Sequence, residues 1–518
     1  MSAQHHDVAP IAGLTPGRLH PVEANGTPML LWRDEAGVSA VGATCPHAGA
    51  LLAEGVVHDG RVVCPWHKSV FCLRTGALLD PPALDPLPRY PVRVAGGRVW
   101  VRLPAEPAPE PPATPDQRCF VIVGAGAAGA MAAQTLRAEG FGGRVVMLDT
   151  ANRVPYDRTL LSKYALSGEP GGEKSPLQSQ HFYQARRIER RTATVASLDA
   201  VQRRITCVDG SVLDYDAALL ATGGEPKRPA LPGADLANVF VLRSRADADA
   251  ILACAERSQR AVVLGASFIG MEVAASLRER GLDVTVVAQE SAPFEKQLGA
   301  RIGSVFVGLH QRRGVTFRLG CKAERLEGET AVHGVRLAGG EVLPADLVVA
   351  GFGVKPATGF LHGVELADDG GVPVDAALRA ADSLYATGDI ARFPLRGDGP
   401  PIRVEHWRVA EQQGRLAALA MLGRDVTYDA VPVFWTIQYK KRLDYVGHAE
   451  DWDDVVVHGD LGQPRFLAYY VKDGIVRAAA GFDRDQDTAS LLALLTLRRG
   501  WTAAELGDSP VAVLAGMG

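Results

Sequence analysis

Residues 119–149 read CFVIVGAGAAGAMAAQTLRAEGFGGRVVMLD. The apolar run 120–123 predicts a buried parallel strand, the Ala-rich segment after Gly129 a helix, and the run closed by Asp149 a second strand. Strand, glycine turn, helix and strand in that order are what a dinucleotide site requires. Gly124 permits the tight turn, Gly126 lets the backbone approach a pyrophosphate, and Gly129 lets helix and strand pack closely. The helix start adds free N–H groups and the positive end of its dipole. Asp149 stands 20 residues beyond Gly129, where a carboxylate can accept a ribose hydroxyl.

The same order returns from Ala261 as AVVLGASFIGMEVAASLRERGLDVTVV, with Gly265, Ser267 and Gly270 in the three positions. A serine in the middle still permits close approach. Between the two stretches, an apolar strand ends in Thr222-Gly223-Gly224; after the second, another ends in Gly388-Asp389. One nucleotide-binding unit is thus expected to be interrupted by another, giving an outer unit over 118–243 and 346–428 and an inserted unit over 244–345.

Upstream, the first hundred residues alternate short β-like runs (29–32, 38–42, 61–64, 92–94, 98–101) with Gly and Pro turns, which fits a small all-β domain over 1–103. It contains Cys45-Pro46-His47 and Cys64-Pro65-Trp66-His67, with 16 residues between His47 and Cys64. Two cysteines and two histidines suit either tetrahedral zinc or a [2Fe–2S] pair with Cys on one iron and His on the other. Cys72, in the strand-like 70–73, is expected in the core, and His5 and His6 are expected in a mobile terminus. Residues 104–117 hold six prolines and form a spacer of roughly 40 Å if extended. It could let the first domain move or lie passively on the surface.

Composition bounds the rest. The chain has 518 residues, 47% hydrophobic and 22% charged, as in ordinary globular proteins of several domains. A net charge of −4 gives no reason to expect nucleic acid or an anionic membrane as partner. No apolar run approaches the ~18 residues of a membrane span, and no secretory signal is visible. Seven cysteines are sparse and odd in number, which points to a reducing, cytoplasmic compartment rather than a disulfide framework.

The Cys-Pro-His and Cys-Pro-Trp-His boxes, with Gly49 after the first histidine, resemble those of Rieske domains. That resemblance assigns Cys45 and Cys64 to the inner iron and His47 and His67 to the outer, solvent-nearer iron, where electrons would enter or leave. The extra cysteines of high-potential Rieske proteins are replaced by Ala50 and Trp66, which resembles the lower-potential ferredoxin type.

From residue 118 onward the chain resembles flavoproteins with two dinucleotide domains, the outer binding FAD and the inserted one NAD(P)H. No cysteine pair of a disulfide reductase lies between Cys119 and Cys207. Instead Pro155-Tyr156-Asp157-Arg158 and Leu161-Ser162-Lys163 are similar to ferredoxin and rubredoxin reductases and to apoptosis-inducing-factor-like proteins, whose Rieske-containing subgroup matches the fusion. The resemblance implies that Arg158 and Lys163 face the flavin and that Lys163 pairs with Glu272 near the hydride-accepting position. It implies that Thr222 and Gly223 lie along the FAD, that Asp389 takes a ribitol hydroxyl, and that Glu405, His406 and Trp407 open a helix aimed at the flavin pyrimidine edge. Glu290, at the end of the inserted domain's second strand, could accept a ribose 2′-hydroxyl; no Lys or Arg follows until Lys296, so NADH is favoured over NADPH.

Residues 429–518 are expected as an α+β domain with a hairpin at Lys472-Asp473-Gly474 and a leucine-rich helix over about 487–499, and they resemble the family's interface domain, which implies that Trp435 lies near the flavin. The resemblance, in which members often dimerise through this domain, implies that a homodimer could form here. The reading is an NAD(P)H-dependent flavoprotein reductase passing single electrons through or to the Rieske cluster and on to a ferredoxin, cytochrome or oxygenase component. The alternative is an apoptosis-inducing-factor-like redox sensor with slow NADH oxidation.

Overall fold

The computed structural model describes residues 4–104, 114–168 and 176–517. Most of the proline spacer, residues 105–113, lies outside the described residues.

The glycine turns dictate the centre of the fold. Cys119–Val123 is buried on both faces, as a parallel central strand of β-branched residues should be. It lies in a six-stranded sheet of order Ile188–Thr192, Arg144–Asp149, Cys119–Val123, Ala217–Leu220, Leu384–Ala386, Arg379–Ala381, parallel except at the last pair. A separate five-stranded parallel sheet runs Val239–Val241, Leu347–Ala350, Arg260–Leu264, Asp283–Val287, Thr316–Arg318. The strands of the second sheet fall in sequence between members of the first. Gly124 sits at φ +105°, and a Cβ there would lie 2.2 Å from the Ala221 carbonyl oxygen; at Gly129 it would meet the Gly124 carbonyl oxygen at 1.9 Å. Those contacts close the strand–turn–helix unit. The helix Ala127–Ala138 packs its small-residue face on Trp407–Met421, where a Cβ at Gly414 would come 2.1 Å from the Ala128 carbonyl oxygen.

The N-terminal domain consists of a three-stranded and two four-stranded antiparallel sheets. Its first strand, Gln4–Pro10, pairs with Arg98–Leu103, so His5 and His6 belong to a sheet rather than to a mobile terminus. Ladder bonds along that strand and burial of Ala9 outweigh the polar composition that suggested otherwise. Cys72 ends the strand Val70–Cys72 half-buried, outside the core, because only alternate residues of this strand point inward and Phe71 takes that place.

The C-terminal domain is a five-stranded antiparallel sheet of order Val433–Gln438, Lys441–Gly447, Ile475–Phe482, Arg465–Lys472, Asp454–Asp460, covered by the helix Asp485–Thr496. The Asp473-Gly474 turn has φ +52° and +74°, as a tight two-residue hairpin requires. The domains share cores. Val56 and Val63 of the N-terminal domain sit in one cluster with Val433, Leu467, Leu491 and Leu492. No helix among the described residues is long and apolar enough to cross a membrane.

Candidate functional site

A cavity of about 940 Å³ lies where the domains meet, and it is lined by His47, His67, Lys163, Glu272, Trp407, Glu411 and Trp435. These residues come from five separate stretches of the sequence.

Two loops of the N-terminal domain bring the first donors. Cys45 N–H donates to the Ala50 carbonyl at 2.9 Å and Cys64 N–H to that of Ser69 at 2.8 Å, closing each loop on itself. The donors fall into two pairs. Cys45 and Cys64 are both buried and interact electrostatically, and the His47 and His67 rings touch edge-on at 4.5 Å between centroids. Among the described residues, no three His, Cys, Asp or Glu side chains converge as a single ion needs. Paired thiols beside paired imidazoles fit a two-iron cluster and not tetrahedral zinc. His47 Nδ1 is buried without a hydrogen-bond partner, as a ligand nitrogen would be. Burial lowers the pKa of both imidazoles below the ordinary histidine value, keeping them neutral donors. Both rings are half-buried while Cys45 and Cys64 are buried, so the imidazoles form the more exposed edge of the pair. His67 packs on Trp435 at 4.6 Å, and both rings line the shared cavity.

On the far wall stand Lys163 and Glu272. Lys163 lies in a π turn, Leu161–Ala165, a local distortion common at functional sites. Its Nζ is 3.0 Å from Glu272 Oε2, with the two side chains only 8% and 3% exposed, and it also donates to the Thr159 carbonyl at 2.9 Å. Glu272 Oε2 also accepts from Ser162 Oγ, and Oε1 from Thr436 Oγ1 at 2.7 Å. Behind Thr436 the bonds continue. Gln438 Nε2 donates to Thr436 Oγ1 at 3.1 Å, and His310 Nε2 lies 2.7 Å from Gln438 Oε1. Because Gln438 spends its amide nitrogen on Thr436, His310 must present Nε2–H to the amide oxygen. Burial lowers the His310 pKa to about 4, consistent with that neutral form. Each donor in this chain points toward the Glu272 carboxylate.

The remaining expected residues fall into place unevenly. Gly126 caps the helix Ala127–Ala138 without a side chain, and nothing lies within 4 Å of where its Cβ would be, leaving the backbone open to a phosphate. Asp149 accepts from Ala125 N–H at 2.8 Å and Ala151 N–H at 2.7 Å, so it braces the glycine turn as well as facing outward. Arg158 is half-buried over the Tyr156 ring. Thr222 Oγ1 donates to the Ala357 carbonyl at 2.8 Å, and Gly223 takes φ +68° beside Asp389. Asp389 pairs with Arg243 at 2.7 Å, a partner no motif announced. Glu405 is exposed and paired with Arg403. His406 is the helix N-cap residue, and Trp407 Nε1 donates to Glu411 Oε1 at 2.9 Å. Burial raises the Glu411 pKa well above the carboxylate range. Arg243 Nε, His406 Nδ1, Glu411 Oε2 and Gln413 Nε2 are all buried without partners. Such orphaned polar atoms around an open glycine turn fit a polar ring system and its ribityl chain.

In the second unit, Gly265 at φ +98° and Gly270 repeat the packing of the first, with Cβ positions 2.7 Å from the Gly351 carbonyl oxygen and 2.3 Å from that of Gly265. Ser267 is more than a small residue: its Oγ caps the helix Phe268–Glu279 by accepting from Gly270 N–H at 3.2 Å. Glu290 lines a smaller cavity with Gly265, Phe352 and Lys322. Lys322 is 32 residues beyond Glu290 in sequence, so strand-end reasoning missed it.

The comparisons with known proteins agree with this architecture. Residues 4–91 match the Rieske [2Fe-2S] domain, 119–414 the pyridine nucleotide-disulphide oxidoreductase family, and 433–515 the reductase C-terminal domain. Apoptosis-inducing factor 3 of Mus musculus is 36% identical over 511 residues, covering 95% of this chain and 84% of the relative. The biphenyl dioxygenase system ferredoxin–NAD(+) reductase component of Paraburkholderia xenovorans (strain LB400) is 34% identical over 392 residues, covering 75% of this chain and 96% of the relative. The crystal structure of the ferredoxin reductase for the CYP199A2 system from Rhodopseudomonas palustris superposes with a TM-score of 0.74 at 29% identity, covering 78% of this chain and all of that one. The chain therefore belongs to the pyridine nucleotide-disulphide oxidoreductase family, as an FAD-dependent enzyme acting on NAD(P)H that carries a Rieske [2Fe–2S] domain before it and a reductase C-terminal domain after it.

Proposed function

We propose that the protein is an NADH-dependent reductase in which electrons run from the nicotinamide through the flavin to the Rieske cluster of the same chain. The supporting observation is the single cavity lined by both the Lys163–Glu272 pair and the His47 and His67 rings. In this reading the unit over 118–243 and 346–428 holds FAD and the interrupting unit, 244–345, holds NADH. When bound, these groups supply a hydride transfer from NADH to FAD, then release of the two electrons one at a time to the one-electron cluster.

The chain's own residues bind and orient. Gly124, Gly126 and the start of helix Ala127–Ala138 receive the FAD pyrophosphate; Gly265, Ser267 and the start of Phe268–Glu279 receive that of NADH. Glu290 faces the adenosine ribose, which favours a 2′-hydroxyl over a 2′-phosphate. Lys163 and Glu272 fix each other as a buried ion pair, so a preorganised charge stands at the hydride-accepting wall. The start of helix Trp407–Met421 lies at the same cavity and favours negative charge there. Glu411, whose pKa burial raises well above the ordinary carboxylate value, accepts from Trp407 Nε1 at the same wall.

Electrons then pass to an external electron-transfer protein, as the reductase components of oxygenase systems among the relatives suggest. Anaerobic stopped-flow mixing with NADH tests the route: flavin bleaching followed by cluster bleaching is expected. A cluster that stays oxidised beside reduced flavin refutes it, and turnover too slow for a one-electron dye would favour the redox-sensor reading.

A further inference from the structure

We propose that the Rieske domain is a fixed and not a shuttling carrier, locked over the cavity by Lys68 and Arg408 as positioning residues. This rests on the electron route just given, because the lock concerns the same cavity.

Lys68 directly follows the ligand His67 and adopts φ +63°, a left-handed conformation uncommon for a long side chain. It is 0% exposed. Its Nζ reaches across the domain boundary to Asp444 Oδ2 at 2.7 Å, while also donating to the carbonyls of Pro65 and Trp66 in its own loop. Asp444, 1% exposed, further accepts from Arg442 at 2.6 Å and from Thr488 Oγ1 at 2.9 Å. The backbone of Lys68 is held from another side. Arg408, also 0% exposed, donates Nη2–H to the Lys68 carbonyl at 3.1 Å, Nε–H to that of Pro81 at 2.9 Å, and pairs with Asp80, which Gln412 binds at 2.9 Å. Two latches therefore converge on one residue, by its side chain and by its carbonyl.

Their partners explain the aim. Asp444 and Trp435 face each other across neighbouring antiparallel strands. One binds Lys68 and the other packs on His67. Consecutive residues of the cluster loop are thus gripped by a cross-strand pair of the C-terminal sheet. A domain that docks and departs carries its charges on a hydrated rim. Lys68 and Arg408 are wholly buried with carboxylate partners on the opposite domain, and separating them would cost each cation its ion pair. The Val56 and Val63 contribution to the C-terminal core seals the same boundary.

The test uses the full-length, cofactor-loaded protein and its Asp444→Asn and Asp80→Asn variants. Small-angle X-ray scattering and hydrogen exchange at Val63 and Val446 read docking; stopped-flow with NADH reads flavin and cluster bleaching separately. The parent is expected to scatter as the compact docked shape. The variants should show at least tenfold faster exchange at both strands, and cluster bleaching at least tenfold slower than in the parent while flavin bleaching stays within twofold. A parent that scatters as two separated bodies overturns the proposal even if neither variant folds. So do variants that exchange and transfer as the parent does, and variants that undock yet transfer at the parental rate. A docked parent whose cluster is never bleached would instead refute the electron route while leaving the fixed docking in place.

Discussion

Replacing Glu272 by glutamine isolates the charge at the proposed hydride-accepting wall while keeping the side chain's shape. The carboxylate is 3% exposed and receives Lys163, Ser162 and Thr436. The amide offers a neutral oxygen to the ammonium and an N–H to whichever donor it then faces, so Lys163 is left buried with only the Thr159 carbonyl as a strong acceptor. Breaking one side of a buried pair costs about 3–5 kcal/mol. For a unit of this size that corresponds to a fall of roughly 10 °C in the unfolding midpoint. The kinetic share is smaller. One lost hydrogen bond to a charged group is worth about 1.5–3 kcal/mol, or about 10- to 100-fold in rate at ~1.4 kcal/mol per decade. Anaerobic stopped-flow reduction of the flavin by NADH, run well below the variant's melting temperature, measures it. A variant that melts early yet reduces its flavin within twofold of the parental rate would refute the role at the reacting wall and leave the pair a structural one.

Other outcomes follow from neighbouring geometry. Gly126→Val should fold normally and lose FAD, because its Cβ enters open space at the phosphate turn, whereas Gly129→Ala should be unstable, because its Cβ meets the Gly124 carbonyl oxygen at 1.9 Å; flavin content and melting curves distinguish the two. His310, depressed by burial to about 4 from an ordinary value near 6.5, binds its proton more readily in the unfolded chain. It therefore contributes stability that is full above about pH 6.5 and is lost as pH falls toward 4, up to about 3 kcal/mol. His310→Gln keeps a donor toward Gln438 and should flatten that part of the stability–pH curve in denaturant titrations. Glu290→Ala should raise KM for NADH several-fold with kcat little changed, and Lys322→Ala should weaken NADPH use more than NADH use; ratios of kcat/KM report both.

The parts of this site that sequence made readable are local. A glycine turn and a Cys-x-His loop each carry their chemistry within a few residues, so Gly124 and the Cys45 donor loop could be placed by spacing, while the choice of cluster and the role of His406 came from a resemblance. Lys163 and Glu272 needed a resemblance, since 109 positions separate them. The supporting groups were out of reach for a plainer reason. Lys68 meets Asp444 from 376 positions away and Arg408 meets Asp80 from 328, and a lone Lys or Arg in a polar stretch looks like any solvated charge until the fold buries it. Thr436, Gln438 and His310 likewise carry no pattern: a buried hydrogen-bond chain has direction in space but no period along the sequence. The first strand was missed because its partner, Arg98–Leu103, stands at the other end of its domain.

The strand Val433–Gln438 has a consequence of its own. Its side chains alternate, and each face serves a different neighbour: Val433 and Trp435 turn toward the Rieske side, while Phe434, Thr436 and Gln438 turn toward Phe268, Glu272 and His310. Because the period is two, inserting or deleting one residue within these six would exchange the faces completely. The tryptophan would leave His67 in the same event that took the threonine from Glu272. The spacing of this short segment therefore behaves as an all-or-none variable, and the contacts with His67 and with Glu272 are kept, or lost, together.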